Sequence, residues 1–135
     1  MKLLKKLFTP KELRLVLGLL DEAEHKFNYP AFKIVRDDVE KLLAEVADDI
    51  AGLIRNGDMT PRQCLYSSIA TISENHVSSG QYHLHRGVLN PMGMGDDLLK
   101  IFDGASDELK IMGFVDEKET KERKDDVREQ IKHVG

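Results

Sequence analysis

Apolar residues return every three or four positions along most of this 135-residue chain, which is the period of a helix rather than of a strand. Over 10–27 they are Leu13, Val16, Leu17, Leu20, Ala23 and Phe27, and Asn28-Tyr29-Pro30 ends the run. A second helix is expected over about 31–55, with Val35, Val39, Leu42, Val46, Ile50 and Leu53 on one stripe and Asn56-Gly57 as a left-handed stop. At a rise of 1.5 Å per residue it would reach roughly 37 Å. A third helix starts at Pro61 and carries Leu65, Ile69, Ile72 and His76. At ~100° per residue, Gly80, His83, Leu84 and Gly87 share or adjoin that face. The pattern therefore predicts a helix continuing through Gly80 to about Leu89, stopped by Asn90-Pro91.

Beyond Pro91 the stripe is Met94, Leu98, Ile101, Phe102, Ala105, Leu109 and Met112, closed by Gly113 with Phe114 placed to fold back. The last segment, about 117–134, is mostly charged, and only Val127, Ile131 and Val134 give it an apolar edge. Start signals agree with these boundaries. Thr9-Pro10-Lys11-Glu12 and Thr60-Pro61-Arg62-Gln63 both place a capping threonine before a first-turn proline and a Glu or Gln three residues on. Asp116-Glu117-Lys118-Glu119 repeats the spacing, and Phe8 with Leu13 is set for a hydrophobic staple across the first cap. The expected fold is all-α: an antiparallel bundle of four or five helices in a single domain over 1–135, with the charged C-terminal helix on the outside.

Composition refines this picture without redirecting it. With 41% hydrophobic and 33% charged residues the chain reads as an ordinary globular domain that needs no disulfide staples. Its net charge of -4 argues against nucleic acid as a partner, and the single Cys64 excludes an internal disulfide and a multi-thiolate zinc site. A reducing cytoplasm is the expected compartment. The opening "MKLLKKLF" is interrupted by Lys5 and Lys6, so it lacks the apolar run of a signal peptide, and no later segment is apolar enough for a transmembrane helix.

Candidate chemistry gathers around the third helix. His76 and His83 fall on its inward face, whereas His85 lies opposite. Glu24 sits between Leu20 and Phe27 on the first helix, and Asp49 is at the margin of the stripe on the second. A buried carboxylate and imidazole need partners, so the group is either a hydrogen-bonded network or a metal site of Glu24, His76 and His83 holding Zn, Fe or Mn. A nearby carboxylate would raise a histidine pKa and burial would lower it, which leaves the sign open.

Glu22 and His25 supply one Glu-x-x-His half of a di-iron signature without its second half. Tyr82 and Arg86 form an i,i+4 pair able to hold an anion or a partner carboxylate. Cys64 is read as packing rather than as a nucleophile, and Met92 and Met94 lack the Cys-x-x-Cys-His of haem attachment. No glycine-rich phosphate loop, nucleophile elbow or two-histidine zinc helix is present, so no catalytic residue and no cofactor are assigned. The expected function is a non-catalytic cytoplasmic interaction or regulatory module, binding a protein partner or itself as a homodimer. The alternative is a small metal- or ligand-binding bundle.

Overall fold

The computed structural model describes residues 10–78 and 94–134. Among them every regular element is a helix: α1 (Lys11–Leu17), α2 (Leu20–Lys26), α3 (Phe32–Glu45), α4 (Ala47–Arg55), α5 (Pro61–Ser78), α6 (Met94–Ile111) and α7 (Glu117–Val134). They pack as a helical bundle around α5, which meets α6 most extensively and also touches α1, α3 and α7. No helix among the described residues is long and apolar enough to cross a membrane.

The central place of α5 explains its sequence. Leu65, Tyr66, Ile69, Ala70, Ser73 and Val77 are all buried, so α5 has no single wet face but is enclosed from several sides. Small residues at 68, 70 and 73 let neighbouring helices approach closely. Beside it, Phe27 at the end of α2 places its ring 6.0 Å from those of Phe32 and Tyr66, the latter edge-on. Gly104 on α6 makes room for this aromatic group: a Cβ there would lie 2.5 Å from Phe27 Cε1.

Two expected helices are each divided. The first breaks at Gly18 and Leu19, where the Leu19 amide donates to Val16 O three residues back instead of four. Glycine, the weakest helix former after proline, stands at this tightened turn. The second breaks at Val46, whose φ of -110° and ψ of 24° leave the helical region. Each break lets consecutive segments face different neighbours: α1 packs on α4 and α5, α2 on α3, and α3 on α5.

The buried stripe on the second segment also differs from the expected one. It runs through Val35, Val39, Leu43 and Ala51, with Ala47, Ile50 and Ile54 packed against the core, while Leu53 is exposed. Adjacent apolar pairs at 42–43, 46–47, 50–51 and 53–54 offer two parallel stripes. Packing against α1 selects the second of them.

The helix signals behave as their chemistry requires. The Gln63 amide donates to Thr60 Oγ1 at 3.1 Å and the Thr60 amide to Gln63 Oε1 at 3.0 Å, a reciprocal capping box. At 116 the cap is one-sided, the Glu119 amide donating to Asp116 Oδ1 at 2.7 Å. Thr9 and Phe8 lie outside the described residues. Gly57 and Gly113 have φ of 81° and 75°, and the Asp58 and Phe114 amides reach back to Leu53 O and Leu109 O to close Schellman turns. Thr60→Ala is expected to cost about 1 kcal/mol and Thr60→Ser only a few tenths, read from thermal or denaturant unfolding.

Candidate functional site

The charged C-terminal helix is seated in an unusual way. Its inward residues are Thr120, Arg123, Lys124, Val127 and Arg128, spaced so that all fall on one face. Only Thr120 and Val127 among them are buried. The remaining three reach carboxylates on α5 and α6. Arg123 Nε donates to Glu74 Oε2 at 2.7 Å, Lys124 Nζ to Asp107 Oδ1 at 2.6 Å, and Arg128 grips both oxygens of Asp103 at 3.2 and 2.6 Å. The Arg123 guanidinium also stands 5.5 Å from the centre of the Phe102 ring.

The seat is thus a groove between α5 and α6, with Phe102 beneath and Glu74, Asp103 and Asp107 along the rims. The outward face of α7 has the opposite bias, with Glu117, Glu119, Glu122, Asp125, Asp126 and Glu129 all exposed. Two clefts flank the seat. A cleft of about 370 Å³ touches Asp103, Lys110, Lys121 and Arg128 on one flank of α7, and another of about 250 Å³ touches Ser106, Leu109, Val115 and Arg123 on the other. The buried Ser106 hydroxyl has no hydrogen-bond partner among the described residues. Among the described residues, α7 is thus fastened by three ion pairs together with the buried Val127 and Thr120.

Of the residues expected to form an inner cluster, Glu24 and His76 lie among those described. His76 does turn inward, its side chain 12% exposed, but Nε2 meets Asp38 Oδ2 of α3 at 2.7 Å. Asp38 went unnoticed in the sequence because it occupies the flank of α3, beside the buried Val39. Glu24 is 42% exposed and accepts from Arg36 Nη1 at 2.6 Å, sharing that guanidinium with Asp21 and Glu40. Asp49 is exposed. Tyr82, His83, His85, Arg86 and the stretch through Gly80 lie outside the described residues, as do the side chains of Met92 and Met94. Among the described residues no group of three or more His, Cys, Asp and Glu side chains is arranged to hold a metal ion.

Cys64 is buried against Met59, sulfur to sulfur 3.9 Å, and burial pushes its thiol pKa up, the direction opposite to that of an activated nucleophile. His25 is exposed, and Glu22 forms a two-point ion pair with Arg62 at 2.7 and 3.2 Å. The hydrogen bond from Arg62 holds the Glu22 carboxyl below the ordinary carboxylate range. Glu12 is lowered likewise, first by its own backbone amide and then by Arg55. A depressed carboxylate stabilises the fold above its unfolded pKa, and that contribution disappears as pH falls through the folded value. Arg62→Ala is accordingly expected to move the Glu22 titration upward, followed by carboxyl chemical shifts, with Glu12 unmoved.

The inward stripe at 120, 123, 124, 127 and 128, basic at three of its five positions, was legible in principle. Its helical spacing is as regular as that of any apolar stripe, but attention to apolar residues alone passes over it. In comparisons with protein-family models, curated proteins and solved structures, none matches this chain.

Proposed function

We infer that this chain is a non-catalytic interaction module of the cytoplasm whose partner is a protein, in the first place a second copy of itself. The observation that carries the reading is the carboxylate-rimmed groove between α5 and α6, which receives a helix through charge pairs along its length. Helix-in-groove recognition uses this arrangement, in which side chains at i, i+3, i+4 and i+7 anchor the helix and paired charges fix its register. An antiparallel bundle of four or five helices, with α7 outermost, suits such a role because a surface helix and the groove beneath it are open to a partner.

The acid-rich outward face of α7 disfavours contact with nucleic-acid phosphates. Light scattering on the intact protein tests the reading: a mass near twice 15.3 kDa is expected, and a strict monomer at high concentration would remove self-association. The alternative, a metal held by Glu24, His76 and His83, is tested by elemental analysis. Stoichiometric Zn, Fe or Mn in purified protein would displace the interaction reading.

A further inference from the structure

The turn joining α6 to α7 bears two of the four large apolar side chains exposed among the described residues, the others being Leu15 and Leu53 on α1 and α4. Ile111 is 73% exposed and Phe114 38%, on either side of the positive-φ Gly113. The helix that follows this turn is the one fastened by Arg123, Lys124 and Arg128 with Val127 as its buried apolar anchor. Two features thus meet at one place: a helix held in its seat partly by ion pairs and flanked by two clefts, and a hinge with two uncovered apolar residues.

We propose that α7 is an exchangeable helix and that the groove between α5 and α6 accepts the α7 of a second copy, producing a swapped dimer. The inference rests on the self-association reading and specifies its surface. Exchange preserves each contact at the seat, because Glu74, Asp103 and Asp107 meet the same three cations whichever chain supplies them. What changes is the hinge. As the turn around Gly113 opens, the two connecting segments run past one another, and Ile111 and Phe114 of each copy gain a cover that one chain does not offer them. A second copy is favoured over an unrelated basic helix because only it brings a matching hinge to those two residues.

A cysteine pair across the seat reads the exchange directly. Asp103→Cys with Arg128→Cys, and separately Asp107→Cys with Lys124→Cys, are introduced into the full chain, concentrated, oxidised mildly and run on a denaturing gel without reductant. Swapping predicts covalent dimers in the same fraction as the dimer measured by light scattering before oxidation, and none from variants carrying one introduced cysteine, whose only other thiol is the buried Cys64. A dimer by light scattering that runs as internally bridged single chains overturns the exchange and leaves self-association standing. A monomer by both measurements overturns both. In the otherwise unaltered chain, Ile111→Lys is expected to weaken dimerisation about tenfold or more, the loss of one covered apolar side chain, without lowering the thermal stability of the single chain. An unchanged dimer constant would remove the hinge from the proposal.

Discussion

Phe27→Ala is expected to lower stability by about 3–5 kcal/mol and to reverse the effect of a second substitution on a different helix. The ring it removes is buried, packs on Phe32 and Tyr66, and lies over Gly104. In the native protein Gly104→Ala gains up to about 1 kcal/mol of helix propensity but drives its new methyl into the Phe27 ring. Overpacking of that kind costs about 1–3 kcal/mol, because a rigid aromatic enclosed by two others has nowhere to turn. The net effect is destabilising.

With Phe27 already replaced by Ala, the methyl enters vacated space and Gly104→Ala becomes stabilising by roughly 1 kcal/mol. A double-mutant cycle by denaturant unfolding measures this coupling. Equal effects of Gly104→Ala in both backgrounds would mean that the glycine is not there to admit the ring.

The second large effect belongs to Val127→Asp. Among the described side chains of α7, Val127 is the one apolar group that is buried, with Glu74, Asp103 and Asp107 along the rims of the seat. A carboxylate there loses its water in place of an apolar contact and competes with Glu74, Asp103 and Asp107 for cations they already hold, at a cost of about 3 kcal/mol or more. The expected result is local: backbone amides of α7 lose about 100-fold of their hydrogen-exchange protection, while those of α5 and α6 beyond the seat keep theirs.

The native protein should show a milder form of the same release when salt is raised. At 1 M the screening length falls to ~3 Å, and three half-exposed ion pairs weaken together. Protection of α7 that is indifferent to salt, together with a global loss of stability in Val127→Asp, would show α7 to be an integral part of the core.

Much of the local structure could be read before any coordinates. Helix starts at Pro61 and Glu117, and stops at Gly57 and Gly113, follow from side chains acting on their own backbone within a few residues. The α6 stripe Leu98, Ile101, Phe102, Ala105 and Leu109 is buried as its spacing required, because polar residues on either side leave one choice of face. Where neighbouring apolar residues allowed two faces, as from Leu42 to Ile54, spacing alone favoured Leu42, Val46 and Leu53, whereas Leu43 and Ala51 are buried and Ile54 packs on the core, with Ile50 packed there as expected. The candidate site was legible only as separate parts. That His76 lies inward could be seen from the wheel, but its pairing with Asp38 depends on how α3 and α5 cross.

What this sequence determined by itself, among the described residues, is their helical character and the signals at Thr60, Asp116, Gly57 and Gly113, because those depend on interactions between residues a few positions apart. Tertiary structure decided which carboxylate each cation meets, where the long helices bend, and that the basic stripe of α7 faces in while its acids face out. Those outcomes depend on side chains brought together from distant parts of the chain, whose pairing is set by the packing of whole helices against α5. Arg123 finds Glu74 and Arg128 finds Asp103 for that reason: each pair is available only once α5 and α6 have built the groove between them.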